Sequence, residues 1–261
     1  MKRQVIALAI ALSALTACET APVTGRSQLI VVPEAQVAQM GLQTFQEILK
    51  KEDVSKDPKL NATVQTVGSR VAQVVDAGTK WEFVVFNDDK QVNAFALPGG
   101  KVGVYSGLFK VVNSEAELAA VIGHEIAHVT ARHGAERLSQ GIVAQAGLAA
   151  TSLALSNRDP TTVQLVTTAL GAGATVGVLL PYSRLQESEA DKLGMVYMAK
   201  AGYDPRAAKE LWLKMAKAAQ GQARPPELLS THPANETRIA QIDKWMPEAL
   251  SHYKGGKQTS R

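Results

Sequence analysis

The chain has one cysteine, Cys18, among its 261 residues. No disulfide can form within it, so its core must hold without staples, which a chain of this length can do. It lacks a dense Lys/Arg block. The 28 basic and 24 acidic residues are scattered and leave a net charge of +4, which gives no footing for a nucleic-acid groove. It lacks a bilayer-length apolar run at its start: the stretch from Val5 to Leu15, interrupted only by Ser13, is too short to span. Charge itself is almost missing from residues 138–183, where only Arg158 and Asp159 carry any. Within it the run from Pro160 to Ser183 has no charge and is long enough to invite a transmembrane reading, but its Thr, Gln and Gly residues weigh against one. The expectation is a pair of buried helices, the alternative a lid or a surface that touches membrane or partner. There is no internal repeat. A composition 46% hydrophobic and 20% charged is that of an ordinary globular chain, neither disordered nor collagen-like. Its length suits one domain plus tails, or at most two small domains.

The N-terminus has the layout of a secretory signal peptide. Met1-Lys2-Arg3 is the positive segment, and the apolar run follows. Leu15-Thr16-Ala17-Cys18 resembles the bacterial lipobox, in which the cysteine is lipidated and becomes the mature N-terminus. A soluble periplasmic protein cut near an incidental cysteine is the alternative, but it leaves a lone thiol in an oxidising compartment. The expectation is a lipid anchor at Cys18 that tethers without spanning. Glu19 stands where an Asp would signal inner-membrane retention, which favours the periplasmic face of the outer membrane. The expected organisation is a signal peptide over 1–17, a tether over 18–33, a main domain over 34–250 and a polar tail over 251–261.

Helical spacing of apolar residues predicts helices from Pro33 to Lys51 and from Pro58 to Asp76. The period then changes. Residues 81–86, 92–97 and 101–105 read as three strands, with turns at Asn87-Asp88-Asp89 and Pro98-Gly99-Gly100, giving a small sheet with an exposed edge. A helix from Glu115 to Arg137 follows, with Ser114 and Glu117 spaced as a capping box. Further helices are predicted from Leu185 to Gly202 and from Pro205 to Gln220, before a break at Arg224-Pro225-Pro226. Thr231-His232-Pro233 is expected to open a last helix that runs to Trp245. The fold class is α+β and mostly helical.

His124-Glu125-Ile126-Ala127-His128 is an HExxH motif inside the Glu115–Arg137 helix. Spacing of i, i+4 puts both imidazoles on one face, one turn apart, within reach of a single metal ion. Glu125 projects near that face and can take a proton from a metal-bound water whose pKa zinc brings toward neutrality. A catalytic zinc needs a third protein ligand and an open position. Glu187 and Asp191 share a helix face further along the chain, while Glu189 points elsewhere. One of the pair could ligate and the other could orient a ligand imidazole. On the residues alone, however, an acidic helix start is better read as a solvated face favoured by the helix dipole.

A resemblance decides between these. The HExxH segment followed by Glu187-Ser188-Glu189-Ala190-Asp191 resembles the HExxH…ExxxD signature of the HtpX-like metallopeptidases, which include the mitochondrial OMA-type and the CAAX prenyl proteases. Residues 93–100 are similar to the strand and turn that precede the metal helix in that family, and His232, Pro233 and Arg238 resemble its late HP…R element. With the lipobox, the match is to the periplasmic lipoprotein branch, over roughly residues 30–245, with 138–180 matching poorly. The resemblance implies a zincin-type active-site helix and one Zn2+ per chain held by His124, His128 and Glu187. It makes Asp191 a supporting carboxylate and Glu125 the general base.

The expected activity is zinc-dependent endoproteolysis of misfolded or stalled envelope proteins. The edge segment Asn93, Ala94, Phe95 and Ala96 is a candidate for binding an extended substrate as an added strand. The alternative is a periplasmic chaperone or outer-membrane assembly factor whose peptidase is mostly shut. His232 is a candidate transition-state donor or a ligand that holds the site latent. His133 reads as structural, His252 as solvated tail, and Arg132 as a salt-bridge or capping residue.

Overall fold

A computed structural model describes residues 18–21, 24–75, 78–174, 180–219, 227–232 and 236–255. The signal peptide over 1–17, the Arg224-Pro225-Pro226 break, Pro233 and residues 256–261 lie outside the described residues. The chain divides into two compact units, one of Met1–Val37 with Arg132–Gln186 and one of Ala38–Ala131 with Glu187–Arg261.

Helices of the larger unit start where their caps are. Asp57 accepts from the backbone of Lys59 and Leu60 and puts Pro58 in the first turn of α2 (Pro58–Ala72), after α1 (Glu34–Lys51). Ser114 accepts from Glu117 N–H to open α3 (Glu115–Thr130). The Glu117 carboxylate reaches back as a capping box requires, but to the N–H of Asn113, at 2.7 Å, one residue earlier than expected.

The β-branched and aromatic run of β3 (Glu82–Phe86) pairs parallel with β5 (Lys101–Tyr105), and β4 (Ala94–Leu97) pairs antiparallel with β5. The strand order is therefore β3-β5-β4, and β4 lies at an edge as predicted. The β4–β5 turn needs Gly99 and Gly100, whose φ of 89° and 80° side-chain-bearing residues seldom adopt. Val64, Val67 and Val71 of α2, Val102 and Val104 of β5, and Ile122 and Ile126 of α3 form the core between helices and sheet. Four further helices complete the chain after the middle segment: α6 (Leu180–Lys200), α7 (Arg206–Ala219), the short α8 (Glu227–Thr231) and α9 (Glu236–His252).

In the smaller unit the expected tether is not irregular. Cys18–Thr20 (β1) and Ser27–Leu29 (β2) pair antiparallel. Glu136, fully buried, fixes the hairpin: Arg26 donates to both its oxygens at 2.7 and 2.8 Å, and Gln28 and Gln186 add bonds at 3.3 and 2.7 Å. Ile30 and Val32 close a small apolar cluster with Ala135.

Four expectations are corrected. The helix predicted to run from Glu115 to Arg137 breaks at Arg132, which sits in the left-handed region at φ 58°, so α4 (His133–Ala154) is a separate helix. A non-glycine residue there costs about 1–2 kcal/mol, and Arg132 is held by an ion pair with Glu19. The charge-poor stretch forms two helices, α4 and α5 (Pro160–Ala174), which pack on each other but are not buried: Leu153 is 76% and Leu165 70% exposed. His232 ends a helix instead of opening one, since its N–H bonds back to Leu228 O at 2.8 Å. Finally, α9 continues through Pro247 to His252 rather than stopping near Trp245, and Ala249 beyond the proline is buried.

The Glu136 cluster generates a prediction. Burial raises the Glu136 carboxyl, but hydrogen bonds from Arg26 and Gln186 outweigh it and hold the group below its ordinary 4.5. A lowered carboxyl stabilises fully above that ordinary value and loses its contribution as pH falls through the depressed one. Protection of residues 18–32 from limited proteolysis should be constant from neutral pH down to about 4.5 and then collapse. Arg26→Ala should remove it at every pH, and intact protection in that variant would show that the hairpin is held otherwise.

Candidate metal centre

Two helices must approach unusually closely to build this site, and two glycines allow it. A Cβ on Gly123 would lie 2.9 Å from Gly194 O, and one on Gly194 would lie 2.8 Å from His124 N. The backbones of α3 and α6 therefore touch where His124 leaves one helix and Asp191 and Glu187 leave the other. Nearly all of α3 from Glu117 to His128 is buried, so its polar side chains point into protein.

The structure brings His124, His128, Glu187 and His232 together, with one ligand atom of each within 4.8 Å of all the others. His124 Nε2 is 3.1 Å from His128 Nε2, 3.3 Å from Glu187 Oε2 and 3.2 Å from His232 Nδ1. Glu187 Oε1 is 3.4 Å from His128 Nε2, and its Oε2 is 2.9 Å from His232 Nδ1. Four donors around one ion, with bonds of about 2.0–2.1 Å, lie about 3.3 Å apart along each tetrahedral edge. The measured separations fit that requirement. Imidazole nitrogens with a carboxylate are also the donor chemistry zinc takes. Glu125 is 3% exposed, and its Oε1 has no hydrogen-bond partner among the described residues; the nearest cationic candidate is His232 Nε2 at 3.4 Å. A buried carboxylate oxygen left open beside a metal-sized cluster is where a base for a bound water belongs.

Asp191 does what the helix spacing allowed. Its Oδ1 lies 3.0 Å from His124 Nδ1, on the ring edge facing away from the cluster. Sequence reasoning named Arg238 only as part of a resemblance and gave it no role. It donates to both Asp191 oxygens at 2.7 Å, its Nη1 is 3.4 Å from Glu187 Oε2, and its guanidinium stacks 4.3 Å above the Trp212 ring. Trp212 in turn meets the His124 ring edge-on. Neither residue had a signal beyond an Arg and a Trp on amphipathic helices. Glu189 is buried but outside the cluster, which matches its assignment away from the ligand face. Asn93 precedes β4, and its side chain accepts from Ala94 N–H at 2.9 Å. Tyr105 N–H bonds to Asn93 O, so in the antiparallel alternation Ala94 and Ala96 turn their backbone groups to the open edge. β4 runs beside α3. His133 is fully buried, and Arg132 is an ion-pair and helix-start residue.

The electrostatics are those of a cation site. Burial alone lowers the His124 pKa, yet bonds to Asp191 and Glu187 outweigh it and push it up to about 9. Burial likewise raises Glu187, and His124 and His232 hold it far below the carboxylate range. Burial raises Asp191, and Arg238 brings it back down. In the metal-free protein a proton thus occupies His124 at neutral pH, and a metal ion must expel it. Zinc affinity, measured against a competing chelator, should rise about tenfold per unit between pH 7 and pH 8. A flat profile would mean that no ligand proton is released.

Comparison with known proteins agrees with this geometry. The family model for peptidase family M48 matches residues 58–246. The chain is 36% identical to the mitochondrial metalloendopeptidase OMA1 of Schizosaccharomyces pombe over 241 residues, 90% of this chain and 68% of that protein. It is 33% identical to the beta-barrel assembly-enhancing protease of Escherichia coli over 227 residues, 85% of this chain and 46% of that one. With the putative beta-barrel assembly-enhancing protease of Vibrio cholerae it shares 38% over 196 residues, 72% of this chain and 39% of that one. The chain thus spans less than half the length of the two assembly-enhancing relatives. A match over most of its length, on a helix pair that gathers ligand-type side chains, means that the chain belongs to peptidase family M48 and is a metallopeptidase.

Proposed function

We propose that the chain is a zinc-dependent endopeptidase of envelope protein quality control, held by lipid on Cys18 at the periplasmic face of the outer membrane and acting on unfolded or stalled proteins. The observation that carries the chemistry is the four-donor cluster with the open Glu125 oxygen beside it. His124, His128 and Glu187 would hold one Zn2+. When bound, zinc polarises the scissile carbonyl and lowers the pKa of water toward neutrality. Glu125 would act through its open oxygen as the base for the attacking water and return the proton to the leaving amine. Asp191, braced by Arg238, fixes the His124 ring and its tautomer. The free Ala94 carbonyl and the Ala96 backbone groups bind an extended chain as an added strand beside α3, a mode that reads little sequence and suits unfolded substrates.

His232 favours latency over transition-state donation. Its Nδ1 points into the cluster, 2.9 Å from Glu187 Oε2, in the place of a fourth donor. Its helix α8 is bonded to the chain just before the substrate edge through Leu228 N–H and Val92 O, at 3.1 Å. This also supports a second reading, an outer-membrane assembly factor with a mostly closed peptidase, as the name of the assembly-enhancing relatives suggests. Digestion of unfolded casein by the purified protein, with and without chelator, separates the two.

Glu125→Gln should keep zinc and fold while casein turnover falls about a thousandfold. Glu187→Ala should lose zinc by elemental analysis, and Glu189→Ala should keep it; the reverse would move the ligand role to Glu189. His232→Ala should retain zinc and raise basal proteolysis several-fold. A fall of about a hundredfold with zinc still bound would make His232 a transition-state donor instead, and unchanged activity would remove it from the site.

A further inference from the structure

We propose that the α4–α5 hairpin is a membrane-contact element that lies along the headgroup–acyl boundary of a bilayer. Between residues 141 and 173 no side chain is buried. Ile142, Val143, Leu153, Leu165 and Leu170 are 46, 47, 76, 70 and 49% exposed. Charge-free helical stretches with exposed apolar side chains that no described residue covers call for an external apolar surface.

Three features say which surface. Two of the hairpin's hydroxyls are satisfied inside their own helices: Thr151 Oγ donates to Gly147 O at 2.9 Å and Thr167 Oγ to Val163 O at 2.8 Å. Such back-bonding removes the need for water and is how hydroxyls are accommodated in lipid. Residues 141–173 contain no aromatic residue, whereas the buried centre of a protein–protein interface is built on aromatic and Arg anchors. The charges are confined to the ends. Arg137 and Arg184 are exposed at the root and Arg158 at the tip, while Asp159 caps α5 through Thr162 N–H at 3.0 Å. Cations about 30 Å apart along the helix axis, with none between, suit a hairpin lying flat with both ends at lipid phosphates. It does not cross: no described helix is long and apolar enough to span a bilayer.

The same compact unit contains β1, which begins at Cys18. The proposed lipid anchor and the hairpin therefore belong to one unit, and one lipid signal plus a contact surface gives firmer attachment than either alone. The inference rests partly on that anchor, so its test omits the lipid. The chain from residue 18 onward, with Cys18→Ser, contains every described element and no cysteine. Leu153→Cys, Leu165→Cys and, as a control on α7, Leu213→Cys are each introduced and labelled with an environment-sensitive fluorophore. Vesicles of phosphatidylethanolamine and phosphatidylglycerol should shift the emission to the blue at 153 and 165 but not at 213. Leu153→Asp with Leu165→Asp should lower the fraction floating with vesicles about tenfold while zinc content is unchanged. No shift at 153 and 165, or an equal shift at all three positions, overturns the proposal. So does a lipid-independent shift that grows with protein concentration, which would mean that a second copy covers the hairpin. Metabolic palmitate labelling, lost in Cys18→Ser, reads the anchor separately.

Discussion

The contact between Gly123 and Gly194 is the constraint on which the rest of the site depends. Helices normally lie 8–10 Å apart, with side chains between them. Here a single Cβ on either glycine would overlap the other backbone. Only at that separation do short carboxylate side chains on α6 reach imidazoles on α3 on both ring edges, Glu187 at Nε2 and Asp191 at Nδ1 of His124. Each helix gives up about 1 kcal/mol of propensity at its glycine. What it gains is a site placed by two rigid elements rather than by loops, and this is what a metal that tolerates little positional error requires.

The second consequence is a dense charge cluster in the core. Glu125, Glu187 and Asp191 are all 4% exposed or less, and Arg238, equally buried, is the cation that faces them. Three carboxylates against one guanidinium leave two negative charges, which a divalent ion neutralises and a proton on His124 neutralises only in part. The arrangement therefore favours a dication over any monovalent substitute. It also explains why Arg238 is sandwiched between Asp191 and the Trp212 face: a planar guanidinium can bind a carboxylate with two bonds and still stack, which an ammonium cannot.

Much of this was legible in the residues. The HExxH spacing on a capped, apolar helix placed His124, Glu125 and His128, and the shared face of Glu187 and Asp191 was correct as geometry. Alternation and turn residues found the three strands, with β4 at the edge. What escaped was set by tertiary partners. Nothing local marks Arg132 as a break, because an ion pair with Glu19, more than a hundred residues away, supports its left-handed backbone. The last helix, expected to end near Trp245, runs on through Pro247 to His252 with Ala249 buried. Gly123, directly before His124 in an otherwise strong helix, and Gly194, inside the Leu185–Gly202 helix, were the available hints of a close helix crossing. The exposed hairpin was misjudged because lack of charge reports what a surface avoids, not whether protein or something else covers it.

Site and fold are not separable in this protein. His124, Asp191, Arg238 and Trp212 form a continuous path from the donor cluster into the packing of α7 and α9, where Leu211, Met215 and Ile242 are buried. Removing one partner of a buried, bidentate ion pair leaves the other charge unpaired, at a cost of about 3–5 kcal/mol, a large fraction of the stability of an ordinary domain. Replacing the whole cluster with apolar side chains of equal volume would relieve that cost. The cluster is therefore a poor way to hold α3, α6 and α9 together and a good way to hold a divalent ion. Its presence in the core is best understood as a stability penalty that the metal, by neutralising the two remaining charges, offsets when it binds.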